Sequence, residues 1–327
     1  MFVEKRKFVE IHRGDNYGKL LYGIDARKAL SRFGRTRANC IVSSPPYWLH
    51  RKYGGEPQKW EDDWVGELGL ETQPDQYARH MAEVFRSARK VLRTDGVLWL
   101  VLGDTYMSNE TNDPTRMRTG IQGKRIEKDK SYADAAAIHI RPAPKDVGLR
   151  FKALTGVPWR VAFALQKDGW ILRNEMIWHR PDHMPSRARD RLLTGHETVF
   201  LFSRSRHYWF DREGAMAAGL PTERRRDVWT FPRGRSRGRH HAVMPTSIIE
   251  PMIRMGCPEG GVVLDPFAGT SAVGEMALKL GRNYIGIDLN ETYLLETEER
   301  FSGSDFQPSE SYRRTLDKLK SESIRRK

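Results

Sequence analysis

The chain has 327 residues, enough for one sizeable core with room for a smaller module. Its 39% hydrophobic and 10% aromatic content excludes a disordered chain, and its two cysteines, Cys40 and Cys257, exclude a disulfide scaffold or a structural zinc module. With 56 Lys and Arg against 42 Asp and Glu the formal charge is +14, which implies a polyanionic or acidic partner without naming it.

The amino-terminal MFVEKRKFVE has charges in every apolar stretch, and no apolar run reaches the roughly 18 residues of a bilayer span, so a soluble, cytoplasmic protein with no membrane partner is expected. LLYGI then reads as a strand, DARKALSRF as a short helix, and NCIVSSPP as a buried strand stopped by two prolines. Apolar residues at Tyr77, Met81, Val84, Phe85, Ala88, Val91 and Leu92 repeat at helical spacing, and TDG leads into the apolar strand VLWLVLGD. Residues 107–147 are polar and read as an insertion. VPWRVAFALQKDGW follows as a helix, with ILRNEMIWH and TVFLFSR as strands. From Gly261 the order is strand GVVLD, turn PFAGTS, helix AVGEMALKLG, strand NYIGID and helix LNETYLLETEERF. That is a second piece of α/β sheet. The charged tail after Ser302 is expected to be a solvated helix or disordered.

Two constellations carry chemistry. In VVLDPFAGT and NYIGID, Asp265 and Asp288 close successive strands, and ligands of such sheets bind outside the carboxyl ends of strands. Gly269 lets a ligand approach the backbone, and Asp288 is spaced to accept bonds from ribose hydroxyls. One glycine replaces the three of a dinucleotide fingerprint, so a nucleoside cofactor lacking pyrophosphate fits better. A glycine turn without a ligand is the plainer alternative. In IVSSPPYW the prolines make the backbone rigid, so the Ser44 hydroxyl and the Pro45 carbonyl would project from a fixed point, with Tyr47 as a stacking face for an unstacked base.

IVSSPPYW followed by VLDPFAGT resembles the circularly permuted beta class of amino DNA methyltransferases, most of all the cytosine-N4 enzymes of restriction-modification systems. ELGLE, DGVLWLVLGDTY, DRLLTGHETVFLFSRS and HHAVMPTSIIEPMI resemble further segments of that family in the same order, from about Leu21 to Phe301. The resemblance implies a Rossmann-like, seven-stranded mixed sheet with S-adenosylmethionine as cofactor and no metal. It makes Ser44, Pro45, Pro46 and Tyr47 the catalytic loop, and it sets Asp25, His241, Pro245, Asp265, Phe267, Ala268, Gly269, Thr270 and Asp288 around the cofactor. The implied division is a catalytic half at 1–106, the insertion at 107–147, remaining core at 148–210, a target-recognition segment at 211–240, a cofactor half at 241–301 and a tail at 302–327. Ser271 departs from the family, whose turn carries a second glycine there.

The implied reaction is direct displacement of the sulfonium methyl by an exocyclic amino nitrogen, helped by acceptors from Ser44 and Pro45. Ring-carbon methylation would need a thiolate, and neither cysteine sits in a nucleophile setting. Serine at the head of the string favours cytosine. Adenine stays open, as do an inactive DNA-binding protein of this fold and a methyltransferase for RNA, protein or a small molecule. Double-stranded DNA would be met by the stretch from Pro221 to His241, with Arg224, Arg225, Arg226, Arg233, Arg235 and Arg237 among its seven arginines, and by Trp48. The basic stretch 116–130 and RPDHMPSRARDR are further candidates. Trp60 and Trp64 read either as closing over a flipped base or as packing on the surface. A cognate restriction endonuclease and a prokaryotic or phage origin complete the expectation.

Overall fold

A computed structural model describes residues 9–33, 38–50, 53–107, 148–182, 188–217, 219–232, 244–303 and 305–325. The insertion from 108 onward, the basic stretch 116–130, and His241, Arg233, Arg235 and Arg237 lie outside the described residues, as does the Arg224 side chain. The chain forms two compact units. The larger comprises Met1–Pro45, Val84–Leu102 and Gln166–Lys327, and the smaller comprises Pro46–Glu83 and Gly103–Leu165.

The larger unit holds a ten-stranded sheet built from β1 (Val9–Arg13), β2 (Asn16–Tyr22), β3 (Ala38–Ser43), β6 (Leu92–Leu102), β7 (Ile171–His179), β8 (His196–Ser203), β9 (Val228–Thr230), β10 (Val262–Asp265), β11 (Asn283–Asp288) and β12 (Gln307–Pro308). Among its described residues the smaller unit has the two-residue pair β4 (Gln58–Lys59) and β5 (Val65–Gly66) and the isolated antiparallel bridge Tyr106–Leu154. Across the large sheet the order is β12-β1-β2-β11-β10-β3-β6-β8-β7-β9. From β2 through β6 neighbours are parallel, and β8 is antiparallel to both β6 and β7. Those seven strands, β2 to β7 in spatial order, form the mixed sheet that the resemblance implies. The other three are edge additions. β1 returns on β2 through the two-residue loop Gly14-Asp15, with Gly14 at φ +55°, and β9 lies parallel to β7.

Burial explains the strand sequences. ANCIVS and the run Val97–Leu102 are apolar nearly throughout because sheet interiors covered on both faces leave no polar side. The helix Thr246–Gly256 buries Ile248, Ile249, Met252 and Ile253 in a core shared with Cys40, Trp99 and Trp229. Gly256 permits that closeness, since a Cβ there would lie 2.9 Å from Cys40 Sγ.

Two expectations are corrected. Thr94-Asp95-Gly96 lies inside β6, as an irregularity between the pairs Ala38↔Leu92 and Cys40↔Val97, rather than ahead of the strand. The tail is also no solvated appendage: the helix Glu310–Arg325 buries Tyr312 and Leu316 in the main core, and Tyr312 bonds Thr297 at 2.8 Å.

The turn after β10 carries Ser271 in the left-handed region at φ +59°, ψ +38°, which accounts for the family's glycine at this position. Its fully buried hydroxyl bonds the Tyr22 hydroxyl at 3.0 Å, while Tyr22 also donates to the Gly269 carbonyl at 2.8 Å. Ser271→Ala keeps the left-handed cost of about 1–2 kcal/mol and loses the bond, whereas Ser271→Gly loses the bond and relieves the cost. Denaturant unfolding is expected to rank Ser271→Gly above Ser271→Ala by about 1 kcal/mol.

Candidate active site

β3, β10 and β11 are parallel neighbours, so Ser43, Asp265 and Asp288 reach the same carboxyl edge of the sheet. The Ser43 hydroxyl donates to Asp265 Oδ1 at 2.6 Å, and the Phe267 N–H donates to the same oxygen at 3.0 Å. Burial pushes Asp265 up to about 7, and the nearby charge of Asp288 adds to the shift against those two bonds. The Asp288 carboxylate accepts from the Gly269 N–H at 2.8 Å and the Asn290 N–H at 2.9 Å, and the Ala268 N–H donates to the Ile287 carbonyl. These bonds fold the turn over the end of β11. Gly269 has φ +50° and open space where a Cβ would stand, so its backbone is approachable. Thr270 is buried and accepts from Arg300 Nε at 3.2 Å, and the Phe267 ring lies 6.3 Å from that of Phe85.

Asp25 lies at the same edge, since the Ile24 N–H reaches the Asp288 carbonyl at 3.4 Å. Its carboxylate caps the helix Ala26–Leu30 and pairs with Arg27, with the closest approach at 2.6 Å. Pro245 is buried at the start of the helix Thr246–Gly256 and accepts from the Ile248 N–H. Two acids at adjacent strand ends, one buried, beside an open glycine turn suit a cationic ligand bearing hydroxyls. S-adenosylmethionine, a sulfonium with a ribose, has that chemistry.

The string Ser44–Tyr47 is divided by the boundary between the units, after Pro45. Ser44 is half-buried and Pro45 buried in the larger unit. In the smaller unit the Tyr77 hydroxyl donates to the Pro46 carbonyl at 2.8 Å, and burial pushes that phenol well up, which keeps it a donor. The Leu49 N–H donates to the Gly69 carbonyl at 2.7 Å, with Leu49 itself at φ +51°. The half-buried Tyr47 ring lies against Gly103, where a Cβ would come within 2.7 Å of it.

Trp48 differs from its expected place at DNA. It is 2% exposed, and its Nε1 donates to the Glu71 carbonyl at 2.9 Å, so both ring and polar group are consumed inside the protein. Trp60 and Trp64 likewise stack on His80, at 4.3 and 5.2 Å between ring centroids. Sequence reasoning missed Tyr77, Gly103 and the pair Glu71 and His80 as supports of the loop; only the strings ELGLE and LGD held a trace of them. It also missed Asp104, which takes the Thr155 hydroxyl at 2.6 Å and the Gly156 N–H at 3.0 Å just ahead of the helix Val157–Lys167.

Arg225 and Arg226 are exposed, but β9 runs parallel to β7, so the residues 224–226 enter it from the end opposite the carboxyl edge. Arg225 pairs with Glu213 at 2.5 Å. β7 ends and β8 begins at the carboxyl edge, and the described residues 188–195 that lead into β8 include exposed Arg189 and Leu192. Cys40 and Cys257 are buried free thiols. Burial pushes Cys40 well above the thiol range and Cys257 up to about 12, so neither offers a thiolate.

Among the described residues no helix is long and apolar enough to cross a membrane. A family model described as DNA methylase matches residues 38–299. The type II methyltransferase M.XycI of Xanthomonas campestris pv. cyanopsidis is 37% identical over 292 residues, covering 88% of this chain and 89% of that protein. The type II methyltransferase M.Cfr9I of Citrobacter freundii is 36% identical over 303 residues, covering 90% and 93%. Among solved structures, the cytosine-N4-specific PvuII DNA methyltransferase shares the fold with a TM-score of 0.64 at 19% identity, over 93% of both chains. With the matched span running from β3 to the helix that follows β11, the chain belongs to the N6/N4 DNA methylase family and is an S-adenosylmethionine-dependent DNA methyltransferase.

Proposed function

We propose that the chain methylates the exocyclic N4 amino group of cytosine at a specific site in duplex DNA. The observation that carries this reading is the placement of Ser44 one residue beyond Ser43, whose side chain is bonded to the buried acid of the cofactor edge. The name of the structurally similar PvuII enzyme supports cytosine, as does the serine that opens the catalytic string.

The bound cofactor supplies an activated methyl group on sulfur. The chain's task is to hold a poor nucleophile in line with it. Asp288 and the Gly269 turn would hold the ribose of the cofactor, and Asp265 and Phe267 would line the rest of its pocket. The target cytosine leaves the helix stack and lies against Tyr47. The Ser44 hydroxyl and Pro45 carbonyl accept hydrogen bonds from the amino group, which frees its lone pair for attack. Without a thiolate at Cys40 or Cys257, attack through ring carbon five has no nucleophile.

The type II relatives support a partner endonuclease that cuts the same sequence, and their bacterial hosts support action in a prokaryotic cytoplasm. The residues 211–240 remain the candidate target-recognition segment, joined by the residues 188–195 that lead into β8 at the carboxyl edge.

Three outcomes follow. Mass spectrometry of nucleosides from methylated DNA is expected to show N4-methylcytosine; N6-methyladenine alone would overturn the cytosine reading. Gly103→Ala, by displacing the Tyr47 ring, is expected to lower kcat roughly tenfold or more with little change in melting temperature. Replacing Arg189 and Arg191 with Ala is expected to weaken DNA binding and to flatten the slope of log affinity against log salt by about one for each phosphate no longer neutralised; an unchanged slope would reject this surface.

A further inference from the structure

We propose that His80 is a positioning residue for methyl transfer: bridging Glu71 and Asp62, it fixes Glu71 and through it the loop segment Pro46–Leu49. The inference rests on the reading of Ser44–Tyr47 as the catalytic loop and adds to that loop an ionic support within the smaller unit.

The geometry is specific. His80 is fully buried, with Nδ1 2.9 Å from Glu71 Oε1 and Nε2 3.1 Å from Asp62 Oδ1. A neutral imidazole has one N–H, and ionised carboxylates only accept, so the doubly protonated ring is the form that satisfies both neighbours. Trp60 and Trp64 stack on that ring within 20° of parallel, which suits a cation. Glu71 then reaches the loop by two routes. Its carboxylate Oε2 accepts from the Gly69 N–H at 2.8 Å, and Gly69 in turn accepts from Leu49; its backbone carbonyl accepts from Trp48. Gly69 has φ +94°, and a Cβ there would lie 3.1 Å from the Tyr47 carbonyl, so the strap and the loop are in direct apposition.

The electrostatics agree. Burial favours neutral imidazole, but the bonds and charges of Glu71 and Asp62 outweigh it and raise His80 above its ordinary value. Burial likewise raises Glu71, against the bonds from His80 and the Gly69 N–H. Asp62 is held down at about 2, its partial burial being overcome by bonds from Gln76, His80 and the Trp64 N–H. Among the described residues Arg79, 4.0 Å from Asp62, is a neighbouring cation; Tyr77 couples to Glu71, and Glu83 accepts from the Glu61 N–H. A raised histidine contributes support that is complete below its unfolded pKa and lost as pH rises through its folded one. The loop therefore loosens on the alkaline side.

The test is the pH profile of kcat, with KM for S-adenosylmethionine, for the wild type, Asp62→Asn, His80→Gln and Tyr47→Ala in the full chain. The wild type is expected to lose kcat toward alkaline pH, and Asp62→Asn to lose it about one pH unit earlier. His80→Gln is expected to show kcat down roughly tenfold at neutral pH, with that decline abolished and the cofactor KM unchanged. If Asp62→Asn keeps the wild-type profile, the proposal is overturned, whether His80→Gln is active, inactive or unfolded. A fully active Tyr47→Ala would instead overturn the reading of the catalytic loop itself.

Discussion

One buried hydrogen bond joins the two distant pieces of sequence from which the site is made. Ser43 and Asp265 end neighbouring parallel strands, and their side chains meet at 2.6 Å with both residues almost wholly out of solvent. A carboxyl in such a place must be satisfied or neutral. Asp265 is satisfied by Ser43 and by the Phe267 N–H, and that second bond starts the turn whose Ala268 and Gly269 amides close over β11. The turn holds Ser271 in its left-handed conformation against Tyr22, and the same strand end launches Ser44 and the prolines. The candidate cofactor edge and the start of the proposed catalytic string thus share one polar joint.

Much of this was legible because sheet interiors leave a strong mark on sequence. The uninterrupted apolar runs of β3, β6 and β8 and the strand, turn and helix order around Asp265 and Asp288 follow from burial on both faces. β1 was not legible: its Val9 and Ile11 face the core between charged neighbours, and five residues give periodicity too little length. The tail misled for a related reason, since Tyr312 and Leu316 are few among many charges yet are the residues that dock. Thr-Asp-Gly reads as lying ahead of the strand because it is polar and carries glycine; register with β3 absorbs it inside β6 as an irregularity.

The site divided in the same way. Residues whose chemistry lies in a short string, such as Asp265, Gly269 and Ser44, could be named in advance. Supports that act through space could not. Nothing local to Gly103 says that its missing side chain makes room for Tyr47, and nothing local to Gly274 says that it yields to the ring of Tyr284. Trp48, Trp60 and Trp64 were readable as aromatic, but whether an indole faces DNA or a buried neighbour depends on partners set by the fold. His80 is the sharpest case: a lone helical histidine becomes an ionic bridge only when a loop brings Glu71 and Asp62 to its two nitrogens.

The sheet order also has a kinetic meaning. β2 and β3, made early, have their parallel partners β11 and β10 near the other end of the chain. Closing such long loops is entropically slow, and parallel strands cannot pair through a local hairpin. During synthesis the first strands therefore wait with facing edges unpaired, separated by the gap that β10 and β11 later fill. Until β10 and β11 leave the ribosome, those edges lie open to pairing with other chains, and the sheet is complete only once they are bridged.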